Sequence, residues 1–587
     1  MLPQGSSQSE DPPWSRTGSW RADTMARRVA VIGAGSSGLA CIKCCLDEGL
    51  EPVCFECSDD IGGLWRYKER PEPEHCSIYR SLITNTSKEI MCFSDFPMPD
   101  HYPNYLHNSQ LLQYLGLYAA HFDLLRHIHF QTSVCSVKQG PEFSHSGQWE
   151  VETKNRVGDK ESHIFDAVLV CTGHYTQPVI PLKDFTGMET FEGKCYHSWE
   201  YKDPNALQGK RVVVVGIGNS GGDIAVEISR AAEKTFLSTR QGAWVIGRMS
   251  DRGLPVDLTM ITRLGSFLVH FLPRALVHWA GERRLNQKYD HRLYGLLPKQ
   301  RLLEGRTLIN DDIPGRILLG ALVMKPHLQE FRGSSVVFED GTVEDQIEAV
   351  VFCTGYNYSF PFLPSSLFAG PGHELTLYQH IFSPTLKHPT LAVLGLVSTK
   401  GPIMPMVEMQ ARWATRVFTG LNQLPPKHTM LKTIETERRK YLKSFPCPKH
   451  AAVQVDYISY MDELAQQVAV RPNLLSLLLR DPRLGLSVLL GPCTPYQYRL
   501  RGPGQWAGAR QAILTQWERV ACPFKTRPIP EPQPSTQPLL LTVSCTALLL
   551  LAAIYSQAKI PAVLRDPAGL LNRLCLYLGS CGRCAYD

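Results

Sequence analysis

Two stretches of this chain carry glycines at a spacing that cradles a diphosphate: VAVIGAGSSGLA, Val29 to Ala40, and VVVVGIGNSGGDIA, Val212 to Ala225. Gly33, Gly35 and Gly38 form G-x-G-x-x-G in the first; Gly216, Gly218 and Gly221 repeat it in the second. In such a turn the first glycine allows the tight bend, the second lets the backbone approach a pyrophosphate, and the third permits close helix–strand packing. The phosphates rest on exposed N–H groups at the positive end of the helix that follows.

The residues downstream of each turn distinguish the two. After the first come helix-compatible LACIKCCLDEGL and a strand, EPVCFE, ending on Glu56. That carboxylate stands where an acid accepts both ribose hydroxyls of an adenosine. SDDIGGLW then supplies Gly62, Gly63, Leu64 and Trp65, a loop suited to a cofactor that continues into a bulky ring system. FAD fits better than NAD, because a chain with two nucleotide sites commonly pairs a flavin with a hydride donor. In the second unit the equivalent strand, EKTFLSTR, has no acid at the position that matches Glu56; Ser238, Thr239 and Arg240 occupy its end. A carboxylate there would repel a 2′-phosphate, whereas guanidinium matches it with paired, charge-assisted hydrogen bonds. The second site is therefore expected to take NADPH.

The elements that position these turns read as strand–turn–helix units in an α/β chain with room for two or three domains. The strands ending in Thr172-Gly173-His174 and Thr354-Gly355-Tyr356 each resemble one that passes a nucleotide and then crosses between domains. Between the turns lies FEGKCYHSWEYK; a lone histidine there, His197, is read as structural, since no nucleophile constellation accompanies it. Across 587 residues the composition is 43% hydrophobic with a net charge of +6, and no basic block interleaves with aromatics, so no nucleic-acid partner is expected. The 18 cysteines are scattered as small core residues would be in a reducing compartment. The terminal CGRC pair, Cys581 and Cys584, is too little to indicate a metal centre, and no metal is expected.

The two ends differ. Residues 1–24, rich in Ser, Pro, Asp and Arg, read as a disordered extension without a signal peptide. Near the other end a proline-rich linker, 528–538, precedes the uncharged run LLLTVSCTALLLLAAIY, Leu539 to Tyr555. At ~1.5 Å rise per residue this run approaches a ~30 Å hydrocarbon core, and it is read as a membrane anchor that leaves the body in the cytosol. Residues 556–587 form a tail, and the flanking charges leave the topology open.

Taken together, the motifs resemble the flavin-containing monooxygenase family. The turn at Gly33, the FxGxxxHSxxYK run from Phe191, GxGNSGxD from Gly216, NTSKEIMCFSDFP from Asn85, STR at Ser238 and CTGY at Cys353 carry the likeness, over roughly Met25 to Lys525. Wording such as TSVCSVK and LNQKYDHRLYGLLPK is most similar to the fifth of the mammalian-type forms. The resemblance implies FAD held by Gly33, Ala34, Gly35, Ser36, Ser37, Gly38, Glu56, Leu64, Trp65 and Thr84. It implies NADPH held by Gly216, Gly218, Asn219, Ser220, Gly221, Gly222, Asp223 and Arg240, with Asn85 at the reacting edge of the flavin as the catalytic residue. It further implies two Rossmann-type domains, an NADPH domain (191–355) inserted into a FAD domain (25–190 and 356–527), and attachment to the endoplasmic reticulum (microsomal) membrane.

In that family NADPH reduces the flavin, oxygen adds to give a C4a-hydroperoxide, and one oxygen atom passes to a small lipophilic substrate. The acceptor is a nitrogen or sulfur nucleophile or, as likeness to the fifth form favours, a ketone converted to an ester. The electrophile belongs to the cofactor, so the lack of a catalytic triad does not count against an enzyme. Gln241 stands where relatives often place a second arginine, and homo-oligomer formation stays open. Two rivals remain: a flavin disulfide reductase, which wants a CxxC facing the flavin where Cys54/Cys57 stands on the adenosine side and Cys581/Cys584 is no better placed, and a nonenzymatic nucleotide-sensing membrane protein.

Overall fold

The structure is a computed structural model in which residues 27–305, 307–364, 367, 376–444 and 453–527 are described. The expected extension, linker, membrane segment, tail and CGRC pair all lie outside the described residues. Among the described residues no helix is long and apolar enough to cross a membrane.

Two five-stranded parallel sheets organise the body. The first contains β1 (Arg28–Ile32), β2 (Glu51–Phe55), β3 (Ile128–His129), β4 (Ala167–Val170) and, far downstream, β10 (Leu391–Val393), in the order β10-β4-β1-β2-β3. The second contains β5 (Lys194–His197), β6 (Arg211–Val215), β7 (Lys234–Ser238), β8 (Leu322–Lys325) and β9 (Ala349–Phe352), in the order β8-β7-β6-β9-β5. Each glycine-turn strand, β1 or β6, is thus central in its sheet, with the following strand on one side and a later strand on the other. A central parallel strand is covered on both faces, which is why RVAVI and RVVVV read as nearly continuous apolar runs and are buried apart from their first residues.

The plan repeats further. In the first unit a three-stranded antiparallel sheet, Thr132–Gln139, Trp149–Asn155 and Lys160–Phe165, connects β3 to β4. In the second a similar sheet, Leu328–Arg332, Ser335–Phe338 and Val343–Glu344, connects β8 to β9. All strands of the second sheet fall between β4 and β10 in the chain. The two passages between the sheets run side by side, Gln177–Pro178 pairing antiparallel with Tyr356–Asn357.

Helices cover the sheets. α1 (Ser36–Asp47) follows the first glycine turn and α2 (Asn219–Ile228) the second. Two surface helices, α3 (Arg263–Phe271) and α4 (Arg274–Lys288), belong to the segment between β7 and β8. α5 (Met404–Phe418) is buried almost throughout and packs against α1. The core divides accordingly: one large apolar cluster surrounds α1 and α5, and another surrounds β6 and α2.

Candidate active site

Both glycine turns close by the same contact. A Cβ at Gly38 would stand 1.8 Å from the Gly33 carbonyl oxygen, and one at Gly221 would stand 1.9 Å from that of Gly216. Only glycine lets the helix sit this close to its strand. Neither α1 nor α2 has a side-chain cap; the N-cap residues are Gly35 and Gly218. Their leading N–H groups therefore face the turns free of a capping oxygen, as an anion-binding helix end requires. At Gly218 a Cβ would meet nothing within 4 Å, so the approach to the second helix end is open.

Around the first turn, Gly62 donates its N–H to the Ala34 carbonyl at 3.1 Å, which lays the Gly62–Gly63 loop against the turn. Leu64 and Trp65 extend from that loop in a short 3-10 turn, Gly63–Trp65. Glu56 is buried; its Oε2 accepts from the Ala34 N–H at 2.6 Å and its Oε1 from the Ser58 N–H at 2.8 Å. The Thr172 hydroxyl, just past β4 and beside Gly33, is buried without a hydrogen-bond partner. An orphaned hydroxyl, an uncapped helix end and a buried acid at one turn fit a dinucleotide.

The second turn shows a different rim. Thr239 and Arg240 follow β7 at the position that Glu56 holds after β2. Arg240 is solvent-exposed, with Nη1 3.7 Å from Asp184 Oδ2. Ser238, expected as a third donor, is instead buried: its Oγ donates to the Pro326 carbonyl at 2.8 Å and accepts from the Leu328 N–H at 3.0 Å. The alternation of a strand turns this hydroxyl inward. Ser220 is exposed at the helix start, whereas Asn219 Oδ1 accepts from the Ile309 N–H at 3.1 Å and Gly222 packs against Leu308. Asp223 faces inward, accepting from the Tyr79 hydroxyl at 2.8 Å and from Asn310 Nδ2 at 2.7 Å. Burial raises its pKa, opposed by those two bonds and by the Arg248 charge.

Asn85 lies where the two units meet. Arg248 Nη2 donates to Asn85 Oδ1 at 2.8 Å, and Arg248 Nε donates to the Thr84 carbonyl at 3.2 Å. The Thr84 side chain serves the local fold, its Oγ1 accepting from the Leu106 N–H at 2.9 Å. Buried Asp257 accepts from the Ser87 N–H at 2.6 Å, and Tyr105 donates to the Arg248 carbonyl at 2.7 Å. Burial raises the pKa of Asp257 against the bonds from Ser87, Leu258 and Tyr105. Arg248, Asp257, Tyr105 and Tyr79 sit in no motif, and spacing along the chain carries no signal for them.

His197, at the end of β5, is buried. Its Nδ1 accepts from the Trp199 N–H at 3.1 Å, and its ring meets Tyr356 edge-on at 5.1 Å. Burial lowers its pKa to about 4. It braces the passage between the sheets, in accord with a structural reading. All thirteen described cysteines are free thiols; Cys54 is buried towards the Gly33 carbonyl, while exposed Cys57 contacts His75. Among the described residues no group of His, Cys, Asp or Glu is arranged to hold a metal.

A family model described as flavin-binding monooxygenase-like matches residues 26–559. The chain is 51% identical to flavin-containing monooxygenase 5 of Rattus norvegicus over 530 residues, 90% of this chain and 99% of that protein. It is 49% identical to dimethylaniline monooxygenase [N-oxide-forming] 2 of Mus musculus over 531 residues, 90% of this chain and 99% of that one. Among solved structures, S-allyl-L-cysteine S-oxygenase from Allium sativum is similar at 25% identity and a TM-score of 0.57, covering 76% of this chain and 88% of that one. Cyclohexanone monooxygenase from Rhodococcus sp. Phi1 shares the fold at 17% identity and a TM-score of 0.54, covering 76% and 98%.

Proposed function

The chain belongs to the flavin-binding monooxygenase-like family, and from that premise we propose how its residues divide the work. The protein is an oxidoreductase that uses FAD and NADPH to place one oxygen atom from molecular oxygen in a small substrate. We assign FAD to the turn Gly33–Gly38, with Glu56, Thr172, Leu64 and Trp65 around it. NADPH is assigned to Gly216–Gly222, with Arg240 at its 2′-phosphate. The FAD domain comprises 25–190 and 356–527, and the NADPH domain 191–355. One observation carries the assignment: two sheets of the same strand plan differ, just past the second strand of each unit, in a buried acid against a half-buried threonine followed by an exposed arginine.

The bound cofactors supply hydride and activated oxygen; the chain supplies position and a shielded site. Asn85 presents an amide that never titrates, so its hydrogen-bonding character is constant across pH. Asp223 ties the second glycine helix to Tyr79 of the first unit, holding the two turns in register.

The acceptor is a ketone or a soft nitrogen or sulfur centre on a small lipophilic molecule. Purified protein given NADPH, oxygen and FAD, with products identified for one ketone and one thioether, tests the whole reading. Substrate-dependent NADPH consumption with an ester or a sulfoxide as product is expected. Flavin reduction with no oxygenated product from either compound would leave the sensing alternative instead.

We also assign the protein to the endoplasmic reticulum membrane, with its body in the cytosol and residues 539–555 as the anchor. Exposed Phe267, Phe271 and Trp279 on α3 and α4 support a membrane-facing body. Ending the chain before Leu539 is expected to release protein into the soluble fraction on carbonate extraction while FAD stays bound. Equal retention of both forms in the pellet would transfer the anchoring role to those helices.

A further inference from the structure

The contact between Arg248 and Asn85 has a chemical polarity that goes beyond the assignment of Asn85 itself. An amide has two ends: an oxygen that accepts and an NH₂ that donates. Guanidinium is a donor only, so a guanidinium N–H at 2.8 Å can be met by nothing but the amide oxygen. With Oδ1 engaged, Asn85 Nδ2 is the end left to donate, and among the described residues no protein acceptor takes it.

Arg248 is itself held from several directions. Its Nε donates to the Thr84 carbonyl at 3.2 Å and its Nη1 stands 3.2 Å from Asp311 Oδ2. Its backbone N–H donates to Asp311 Oδ1 at 2.8 Å, and its carbonyl accepts from Tyr105 at 2.7 Å. The guanidinium is mostly buried, and Asp311 balances its charge. Such a fork, fixed before any ligand arrives, costs little further ordering when the site is used. It also spans the molecule: Asn85 precedes β3 of the first sheet, while Arg248 follows β7 of the second.

We propose that Arg248 is a positioning residue that locks the Asn85 amide with its NH₂ towards the cofactors, so that the reacting edge meets a hydrogen-bond donor and never an acceptor. The inference rests on Asn85 being the residue at that edge. Losing the lock lets the amide turn over and present oxygen, and reducing equivalents then leave as hydrogen peroxide.

The test uses full-length FAD-loaded protein and four variants: Asn85→Ser, Arg248→Met, Arg248→Lys and the double variant Asn85→Ser/Arg248→Met. Peroxide formed per oxygenated product is measured, with FAD content, melting temperature and the change in the flavin absorption spectrum on adding NADP⁺. In Asn85→Ser and Arg248→Met the peroxide-to-product ratio is expected to rise by on the order of tenfold, about 1.4 kcal/mol. The double variant matches Asn85→Ser, Arg248→Lys recovers most of the coupling, and both single losses alter the NADP⁺-induced spectrum in the same sense. Should Arg248→Met fold poorly, Asn85→Asp replaces it: the carboxylate keeps the Arg248 contact and the fold but has no donor, so it is expected to uncouple like Asn85→Ser. Normal coupling in Asn85→Ser overturns the role of Asn85 and this inference with it. Uncoupling in Asn85→Ser alone, with Arg248→Met normal or its effect fully additive in the double variant, overturns the lock and spares Asn85. Normal coupling in Asn85→Asp overturns the assignment of the donor.

Discussion

At the scale of single residues, Arg240 and Glu56 occupy matching places in the two units and face opposite demands. Arg240 is exposed, and its ion pair with Asp184 at 3.7 Å is a loose surface contact that contributes little. The guanidinium is thus available to a phosphate. Arg240→Ala is expected to raise the KM for NADPH by the equivalent of about 1.5–3 kcal/mol, the range for a hydrogen bond to a charged group, and to leave NADH nearly unaffected. Steady-state kinetics with both donors checks this; equal effects would remove the 2′-phosphate from Arg240. His197 gives a pH signature. Its folded pKa of about 4 lies below the ordinary 6.5, so between those values the unfolded chain binds a proton that the folded chain does not. Stability is therefore full above about pH 6.5 and falls as pH drops towards 4, at up to about 1.4 kcal/mol per pH unit for this group. His174 and His380 are displaced in the same direction by burial. Urea midpoints at pH 7.5 and 5 are expected to diverge less in His197→Gln than in the parent; an identical divergence would clear His197 of the effect.

At the scale of elements, the two helix starts make a sharp contrast available. Gly221 touches the carbonyl of Gly216, whereas Gly218 faces open space in an extended backbone conformation, φ −84° and ψ −176°, that alanine adopts without strain. Gly221→Ala is expected to force the helix off its strand and to lose folded protein. Gly218→Ala is expected to melt like the parent yet raise the KM for NADPH by on the order of tenfold, about 1.4 kcal/mol, because the new methyl enters the space that the pyrophosphate needs. Thermal melts beside kinetics separate the two. A normal KM in Gly218→Ala would mean that the dinucleotide does not approach this helix end.

At the scale of the whole molecule, a buried ion network ties the C-terminal part of the body to the unit that carries the first glycine turn. Arg499 is 1% exposed and contacts Glu408 of α5 at 2.7 Å, Asp95 at 2.8 Å and Ser94 Oγ at 2.6 Å. Lys43 of α1 meets Asp95 at 2.6 Å. Burial pushes the pKa of Asp95 up, but Arg499 and Lys43 outweigh it and hold the carboxyl below its usual range. Removing one partner of such a network leaves unpaired buried charge, which costs about 3–5 kcal/mol. Arg499→Met is therefore expected to destabilise by that amount and to loosen FAD, since α1 carries the first glycine turn. Chemical denaturation with and without added FAD measures both effects; a loss under about 1 kcal/mol would show the network to be dispensable.

The chain by itself determined whatever depends on neighbours a few turns away. The glycine spacings, the apolar runs RVAVI and RVVVV, the acid at Glu56 and the Thr239–Arg240 pair all lie within single strand–turn–helix units, where local sterics and periodicity act. From these the α/β class and the two dinucleotide turns were legible. Only the tertiary structure decided what lies between units. Arg248 meets Asn85 across 163 positions, Asp223 meets Tyr79 across 144, and Arg499 meets Ser94 across 405. Such contacts leave no periodicity along the chain, because either partner is an ordinary polar residue until folding removes the water around it. Ser238 shows the same limit within one strand: its type suits a phosphate donor, but the pleat turned it inwards to Pro326 and Leu328. Residue type and spacing tell which chemistry is available; the direction in which each side chain points, and what burial then demands of it, is set by the packing of distant segments.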